Sequence, residues 1–377
     1  MKPRRIAVAL ATAAGLAAAT LAATWGLLFV RPLPTIDGYY RFLGLHERGE
    51  VTRDVHGIPR IYAHDRHDLF FLQGYVTAQD RLAQMEALRA SARATFIEPA
   101  GPLGIPPESV RIALDAYADG VNKLLAQHAD ARALPGELVL AGRRPSPWQA
   151  TDSLAILAVQ LRRGTVAATC VSTGAEAARK GHRLLAADLA FDGAAPGWYE
   201  IGVFGDDLRA IGISLPGVPG ILAGHNGWIA WAGTGDGATR PYPALAALLD
   251  AAATRGGRLA DVASREIGCV SERTVAAADA SRAAALRDAL AGARGLDLET
   301  LRALLGRPAA PVGGRVLVDL ADVDTSRSAV SHGASGQRAS PHFEDQVALW
   351  EVGQVHALPF TRGATGRTDG ELVLRAR

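Results

Sequence analysis

The chain contains 377 residues, of which 49% are hydrophobic and 21% are charged, so it is long and apolar enough to bury a large core and is not a disordered protein. Its 40 Lys and Arg residues face 38 Asp and Glu residues, and no basic run is long enough to form a nucleic-acid footprint, so we expect no nucleic-acid partner. The two cysteines, Cys170 and Cys269, lack the spacing of a zinc site, and the sequence leaves a disulfide between them open.

The N-terminal stretch 6–30 is uncharged and mostly apolar, which is long enough for a helix that crosses a bilayer. Lys2, Arg4 and Arg5 precede it, and positive charge stays on the cytoplasmic side, so the rest of the chain should be exported. The length favours an uncleaved anchor over a signal peptide, for which the alanines at 17–19 offer a cleavage site. We expect a protein that is anchored in the inner membrane and faces the periplasm, or one that is exported.

The first half of the body combines a strand pair with helices. Residues 51–63 predict two short strands around a Gly-Ile-Pro turn, and residues 68–94 have apolar spacing of three to four, with Asp68 as a helix N-cap. Helices are also predicted over 109–128 and 148–163.

The second half begins with short apolar runs broken by Gly and Pro, which predict strands at 183–187, 198–204, 208–214 and 228–231. Helices are predicted at 243–253, 275–293 and 297–305, the last capped by Asp297. Further strands are expected at 315–320 and within 349–360. The residues alone therefore indicate mixed helices and strands.

Three blocks of sequence resemble the penicillin acylase family, whose members are N-terminal nucleophile (Ntn) hydrolases. The first contains RDVHGIPRIYA at 53–63 and GYVTAQDRLAQME at 74–86, and resembles the start of the family's α chain. The second is GVPGILAGHNGWIAWAGT at 217–234, similar to an early part of the β chain. The third, at 335–353, resembles the C-terminal part.

The resemblance implies an α+β fold, a reduced Ntn-hydrolase sandwich of four αββα layers with a helical, α-chain-like part at its N-terminal side. It divides the chain into an anchor or signal at 1–30, a linker at 31–50, an α-chain-like region at 51–163 and a β-chain-like region at 164–377 with a long central deletion. The implied activity is hydrolysis of the carbon-nitrogen bond in a linear amide, and the implied partner is a small N-acyl substrate or ligand.

The nucleophile of the family is a Ser, Cys or Thr that autoproteolysis leaves at a new N-terminus, where its own α-amino group acts as the base. In the family, the nucleophile precedes at a regular spacing a run that corresponds here to residues 181–190. Counting back by that spacing reaches Ala168, which has no nucleophilic atom. The alternatives nearby are Thr165, Thr169 and Cys170, and each could equally be an ordinary strand residue.

The oxyanion site of the family needs two donors. A backbone N–H after the Trp-Gly-x-Thr motif corresponds here to Gly235, whereas the second donor is an asparagine far along the β chain. The asparagines of this sequence, Asn122 and Asn226, fall elsewhere. The spacer that autoproteolysis removes and most of the calcium ligands also lack a counterpart, so we expect no cofactor and no bound metal. Two functions stay open, an amide hydrolase with impaired activity and a non-catalytic remnant that binds acylated ligands.

Several other polar residues have structural interpretations. Asp80 and Arg81 are expected to form a buried ion pair. His225 and His342 lie in turn motifs, where we expect hydrogen bonds to the backbone. The aromatic residues at 198, 199 and 228 fit either an acyl pocket or the core.

Overall fold

A computed structural model of the chain describes residues 3–95, 106–131, 133–162, 169–173, 183–191, 197–233, 241–256, 267–270, 275–277, 280–307, 313–364, 366 and 368–376. The helices are α1 (Pro3–Trp25), α2 (Arg66–Thr95), α3 (Glu108–Ala131), α4 (Gly136–Leu140), α5 (Ala150–Arg162), α6 (Pro241–Ala253), α7 (Ala280–Leu290), α8 (Leu298–Leu305) and α9 (Val347–Glu351). A π-helical turn (Gly26–Val30) continues α1, and a 3₁₀ turn covers Val323–Thr325.

The described strands form two sheets. They are β1 (Gly38–Phe42), β2 (Gly49–Asp54), β3 (Pro59–Tyr62), β4 (Thr169–Thr173), β5 (Leu184–Ala190), β6 (Tyr199–Phe204), β7 (Arg209–Ser214), β8 (Ala223–His225), β9 (Ala230–Gly233), β10 (Gly268–Val270), β11 (Val275–Ala277), β12 (Gly313–Asp319), β13 (Arg327–Val330), β14 (His356–Ala357) and β15 (Thr368–Ala376). The larger sheet has the order β1-β15-β2-β3-β6-β7-β8-β9-β10, and the smaller has the order β11-β4-β5-β12-β13-β14.

The sheets and helices stack in four layers. Helices α2 and α6 contact the larger sheet and α5 packs against both helices, the two sheets contact each other, and α8 contacts strands of the smaller sheet. Side-chain alternation along β5 places Leu185 and Ala187 in the core between the sheets, whereas Leu184 and Ala186 join a second core with Leu301 under the outer helices. The predicted α+β sandwich of αββα layers is confirmed.

The helix layer over the larger sheet is tight because two glycines lie where α2 and α3 cross. A Cβ on Gly74 would approach the backbone oxygen of Tyr117 to 2.1 Å, and one on Gly120 would approach that of Phe71 to 1.8 Å. Any side chain at either position would push the two helices apart. The glycines therefore set the distance at which this layer packs.

Helix α2 differs from the single straight helix that the sequence predicts. Its true N-cap is Asp65, whose carboxylate accepts from the backbone N–H of Asp68 at 2.7 Å, so the prediction of Asp68 as the cap is wrong. The helix also kinks at Arg81, where φ is −130° and ψ is 16°. The carbonyl oxygens of Gln79 and Asp80 accept hydrogen bonds from the segment at 336–337, which diverts them from the helical ladder.

Most predicted elements are present with shifted ends, and one changes type. The stretch 275–293, predicted as one helix, contains strand β11 followed by α7, because its first residues pair with β4. The stretch 349–360 holds the end of α9 and only the two-residue strand β14.

The N-terminal and C-terminal parts of the chain share the larger sheet. Strand β1, which lies within the predicted linker 31–50, pairs in parallel with β15. Strand β3 likewise pairs in parallel with β6. The α-chain-like and β-chain-like regions therefore meet within one sheet.

Candidate active site

The candidate nucleophiles Thr169 and Cys170 begin β4, in the smaller sheet. Successive residues of a strand point to opposite faces, and the core assignments follow this rule. Cys170 joins the core between the sheets, whereas Val171 joins the second core under the outer helices. Thr169 lies on the same face as Val171, in register with Asp188 of β5. The side chains of Thr169 and Cys170 therefore lie on opposite faces of β4 and do not belong to one site.

Cys170 is covalently engaged. Its sulfur forms a disulfide with Cys269 of β10, and the sequence separation of the two residues is 99. The nucleophilic form of cysteine is the free thiolate. With this bond intact, Cys170 does not offer the thiol that the predicted role requires, and that role would demand prior reduction.

The disulfide also links β4 to the region of β9, the strand that precedes the predicted oxyanion donor Gly235. Cys269 lies opposite Ala232 of β9, and Gly268 lies opposite Gly233, where β9 ends. The chain continues from there into the segment that holds the predicted oxyanion donor Gly235. Gly235 and the third nucleophile candidate, Thr165, both lie outside the described residues. The start of β4 and the end of β9 are thus brought to the same edge of the sandwich.

Asp188, which lies opposite Thr169 on the neighbouring strand, belongs to an ion pair. Arg315 of β12 donates from Nε to Asp188 Oδ1 at 2.6 Å and from Nη2 to Asp188 Oδ2 at 2.7 Å. Burial raises the pKa of Asp188, and the guanidinium of Arg315 opposes that shift. A carboxylate held by two such bonds is an ion-pair partner and is poorly placed to take a proton from the Thr169 hydroxyl.

The two asparagines hold structural positions. Asn122 accepts from the backbone N–H of Trp148 at 2.6 Å and donates to the oxygen of the same residue at 2.9 Å. Asn226 accepts from the backbone of Trp228 and Ile229 and donates to carbonyl oxygens at the end of α6. Neither amide is available as an oxyanion donor.

A buried polar network lies where the first block packs on the larger sheet. Asp80 pairs with Arg53, whose Nη1 donates to Asp80 Oδ2 at 2.7 Å, and the hydroxyl of Tyr199 donates to the same oxygen. The predicted Asp80–Arg81 pair is therefore wrong. Arg81 instead donates to the backbone oxygens of Gly333 and Ala334, and burial lowers its pKa to about 10. This network joins the first and third sequence blocks.

The histidine predictions are also corrected. His342 bonds carboxylates, with Nδ1 at 3.0 Å from Asp345 and Nε2 at 3.0 Å from Asp369. His225 is buried, neither of its ring nitrogens has a hydrogen-bond partner among the residues that the structure describes, and burial lowers its pKa to about 3. Trp198 and Tyr199 are fully buried core residues, whereas the Trp228 side chain is half exposed.

A second polar cluster, which the sequence does not reveal, lies between the sheets. The carboxylate of Glu200 accepts from Ser328 and Gln346 and contacts His356 Nε2 at 3.1 Å. Burial disfavours the charged imidazole, but the carboxylate of Glu200 outweighs it and raises the pKa of His356 to about 9. The members are separated by up to 156 residues, so no local motif could have indicated the cluster.

The described residues also contain one group of potential metal ligands, formed by His46, Asp65, His67 and Asp68, whose ligand atoms lie within 4.8 Å of one another. The two imidazole rings stack at 4.1 Å with an interplanar angle of 13°. Each imidazole already bonds a carboxylate, with His46 Nδ1 at 2.8 Å from Asp65 Oδ2 and His67 Nδ1 at 3.0 Å from Asp68 Oδ1. The arrangement suits hydrogen bonding to the two carboxylates better than a tetrahedral ion.

A cavity of about 640 Å³ lies among α2, α4, α5 and the segment 332–344. Its walls include Leu88 of α2, Leu138 of α4, and Ile156 and Val159 of α5. This volume falls in the range of small-molecule sites, which combine apolar walls with a few polar groups.

Segments that cover most of the chain match known proteins. The family model described as penicillin amidase matches residues 48–109, 103–169, 171–241 and 276–366, which together are most of the chain. An acyl-homoserine lactone acylase QuiP of Pseudomonas aeruginosa is 24% identical over 293 residues, covering 53% of this chain and 34% of that protein. Penicillin G acylase of Escherichia coli is 32% identical over 127 residues, covering 27% of this chain and 15% of that protein.

The curated relatives are much longer than the regions that match this chain. Another QuiP acylase, from Pseudomonas fluorescens, is 30% identical over 167 residues and is covered over 20% of its length. Thermostable penicillin G acylase of Alcaligenes faecalis is a structural neighbour at 25% identity and a TM-score of 0.28, covering 32% of this chain and 83% of that one. The chain thus spans about a third or less of the curated relatives it matches.

Proposed function

The chain belongs to the penicillin amidase family, and on that premise we propose that it hydrolyses the carbon-nitrogen bond of a linear N-acyl amide. The observation that carries the proposal is the family match over most of the chain, together with the four-layer sandwich. The proposed nucleophile is Thr165, Thr169 or Cys170, and the proposed oxyanion donor is the backbone of Gly235.

The family's full chemistry requires self-processing, because it needs a freed α-amino group as its base. The spacer that self-processing removes is absent from this sequence, so we expect a single chain, without that base, and slow turnover. Intact-mass analysis of the purified chain tests this, and two fragments that meet between 164 and 170 would overturn the expectation and identify the new N-terminus.

The activity test uses chromogenic phenylacetyl and longer acyl amides as substrates. Thr165→Ala, Thr169→Ala and Cys170→Ala are compared with the unmodified chain, and Cys170 is also assayed after reduction of the disulfide. We expect one of the three substitutions to abolish hydrolysis. Turnover that survives all three would refute the proposed nucleophiles.

A second candidate function is that of a non-catalytic scaffold that binds acylated ligands. The disulfide of Cys170, the structural roles of both asparagines and the 640 Å³ cavity favour it. Equilibrium binding of a fluorescent acyl amine, with no release of amine over hours, would support this candidate over the hydrolase.

We also propose that Ile6–Val30 remains as a membrane anchor with the body in the periplasm. Among the described residues, this stretch of 25 residues has a mean hydropathy of 2.0 and qualifies as a span. The disulfide favours an oxidising compartment. Recovery of the folded body in the cytosolic fraction would argue against this location.

A further inference from the structure

The end of the candidate span touches one short helix of the body. A Cβ on Gly136, the first residue of α4, would lie 2.6 Å from the backbone oxygen of Leu28 and 2.9 Å from the ring of Phe29. Phe29 is buried, whereas the side chains of residues 6–25 are exposed. Among the described residues, it is the last turn of the span that packs on the body, and α4 forms that contact.

This contact sets the depth of α4 relative to a bilayer. A helix rises 1.5 Å per residue, so the 25 residues of Ile6–Val30 extend over roughly 37 Å, against a hydrocarbon core of about 30 Å. The last turn of such a span lies at the border between hydrocarbon and headgroups. Because Gly136 touches that turn, α4 lies at the same border.

The exposed side of α4 has the chemistry of this layer. Val139 is 46% exposed and Leu140 is 69% exposed. Gly142, with a φ of +62°, turns the chain immediately afterwards, and the exposed Arg143 and Arg144 follow. The guanidinium of Arg143 donates to the backbone oxygen of Glu86 at 3.1 Å, inside the body. An apolar tip beside Arg144 suits insertion into the interface with this arginine at lipid phosphates.

We propose that Val139 and Leu140 insert into the outer face of the membrane, with Arg144 at the headgroups, so that α4 is a membrane-contact surface. The proposal rests on the retained anchor proposed above. Glu137 and Leu138 of α4, and Ala141 and Arg143 after it, line the 640 Å³ cavity. One wall of the cavity would therefore lie at the bilayer surface.

The test places a fluorescent thiol label at single sites of the full chain in vesicles of phosphatidylcholine and phosphatidylglycerol. Leu140→Cys reports on the proposed surface. Ala285→Cys is the matched control, because it is an exposed helical position in α7, which contacts β11 of the smaller sheet, whereas α4 contacts the end of the span. Both native cysteines form the disulfide, so they do not take the label.

We expect nitroxide-bearing lipids to quench the label at position 140 several-fold more strongly than the label at position 285. Adding Arg144→Gln should reduce this difference in anionic vesicles more than in neutral ones. Thermal unfolding of each labelled variant checks that the fold is retained.

Intact mass separates this inference from the anchor itself. Equal quenching at both sites, in protein that retains residues 1–30, would overturn the membrane-contact surface and leave the anchor standing. Loss of residues 1–30 would overturn both. A label at position 140 that is shielded from aqueous iodide but not quenched by lipid nitroxides would indicate a protein partner and would also overturn the inference.

Discussion

The helix-covered side of the larger sheet and the edge formed by β4, β9 and β10 are stabilised in different ways. At the first, Arg53 and Asp80 of the first sequence block form a buried network with Tyr199 of β6. At the second, short paired strands are tied across the two sheets by one disulfide between residues that are 99 positions apart. Buried ionic contacts thus support the family's scaffold in this chain, whereas a single covalent link joins the two strands nearest the predicted chemistry.

The largest effect should come from breaking the buried network. Asp80→Ala leaves the buried guanidinium of Arg53 without its carboxylate, so we expect a loss of about 3–5 kcal/mol in the free energy of unfolding, measured by urea denaturation. The matched control is Asp207→Ala, which removes the partially exposed pair with Arg66 and should cost no more than about 1 kcal/mol. Similar losses of unfolding free energy in Asp80→Ala and Asp207→Ala would show that the buried pair stabilises the fold no more than the exposed pair.

The disulfide should account for a somewhat smaller share of stability. Replacing both Cys170 and Cys269 by Ser should lower the free energy of unfolding by about 2–4 kcal/mol, since the cross-link restricts the unfolded chain. Reductant should destabilise the unmodified protein to the same degree and leave the double variant unchanged. If reductant has no effect on the unmodified protein, the edge is held by its strands alone.

The cluster between the sheets should make stability fall as the solution becomes alkaline. The folded pKa of His356 is about 9, above the ordinary value of 6.5, so its contribution is complete below pH 6.5 and is lost as the pH rises through 9. We expect a loss on the order of 2–3 kcal/mol across this window. Groups that face or act on this imidazole are Glu200, Gln346, His56 and Asp54.

His356→Gln keeps a hydrogen-bond donor at this position and should flatten the decrease between pH 6.5 and 9. His64→Gln is the control, because His64 is exposed beside Asp206. An unchanged pH profile in His356→Gln would show that another group causes the decrease.

The smallest effect should come from the outer helix layer. The carboxylate of Asp297 accepts from the backbone N–H of Thr300 at 2.9 Å and caps α8. Asp297→Ala should cost about 1 kcal/mol of unfolding free energy, and Asp297→Asn should cost much less because it retains a capping oxygen. Equal costs for the two substitutions would exclude capping as the cause.

Local signals in the sequence predicted the elements well where they are regular. The cap at Asp297 and the helices at 109–128 and 297–305 follow from residue spacing and were confirmed. The kink in α2 was missed because its cause, hydrogen bonds from residues 336–337, lies more than 250 residues away. The sequence also does not reveal that Asp80 pairs with Arg53 instead of Arg81, because Arg53 is 27 residues away, in a different element.

The sequence by itself determined the family, the mixture of helices and strands, the apolar N-terminal span and the candidates near Cys170. Motifs and periodicity are local properties, so they can be read along the chain. Only the tertiary structure decided that Thr169 and Cys170 face opposite sides of β4, that Cys170 is bonded to Cys269, and that Arg53 rather than Arg81 neutralises Asp80. Strand register and long-range contacts determine these outcomes. A shift of one residue in the pairing of a strand moves each of its side chains to the opposite face.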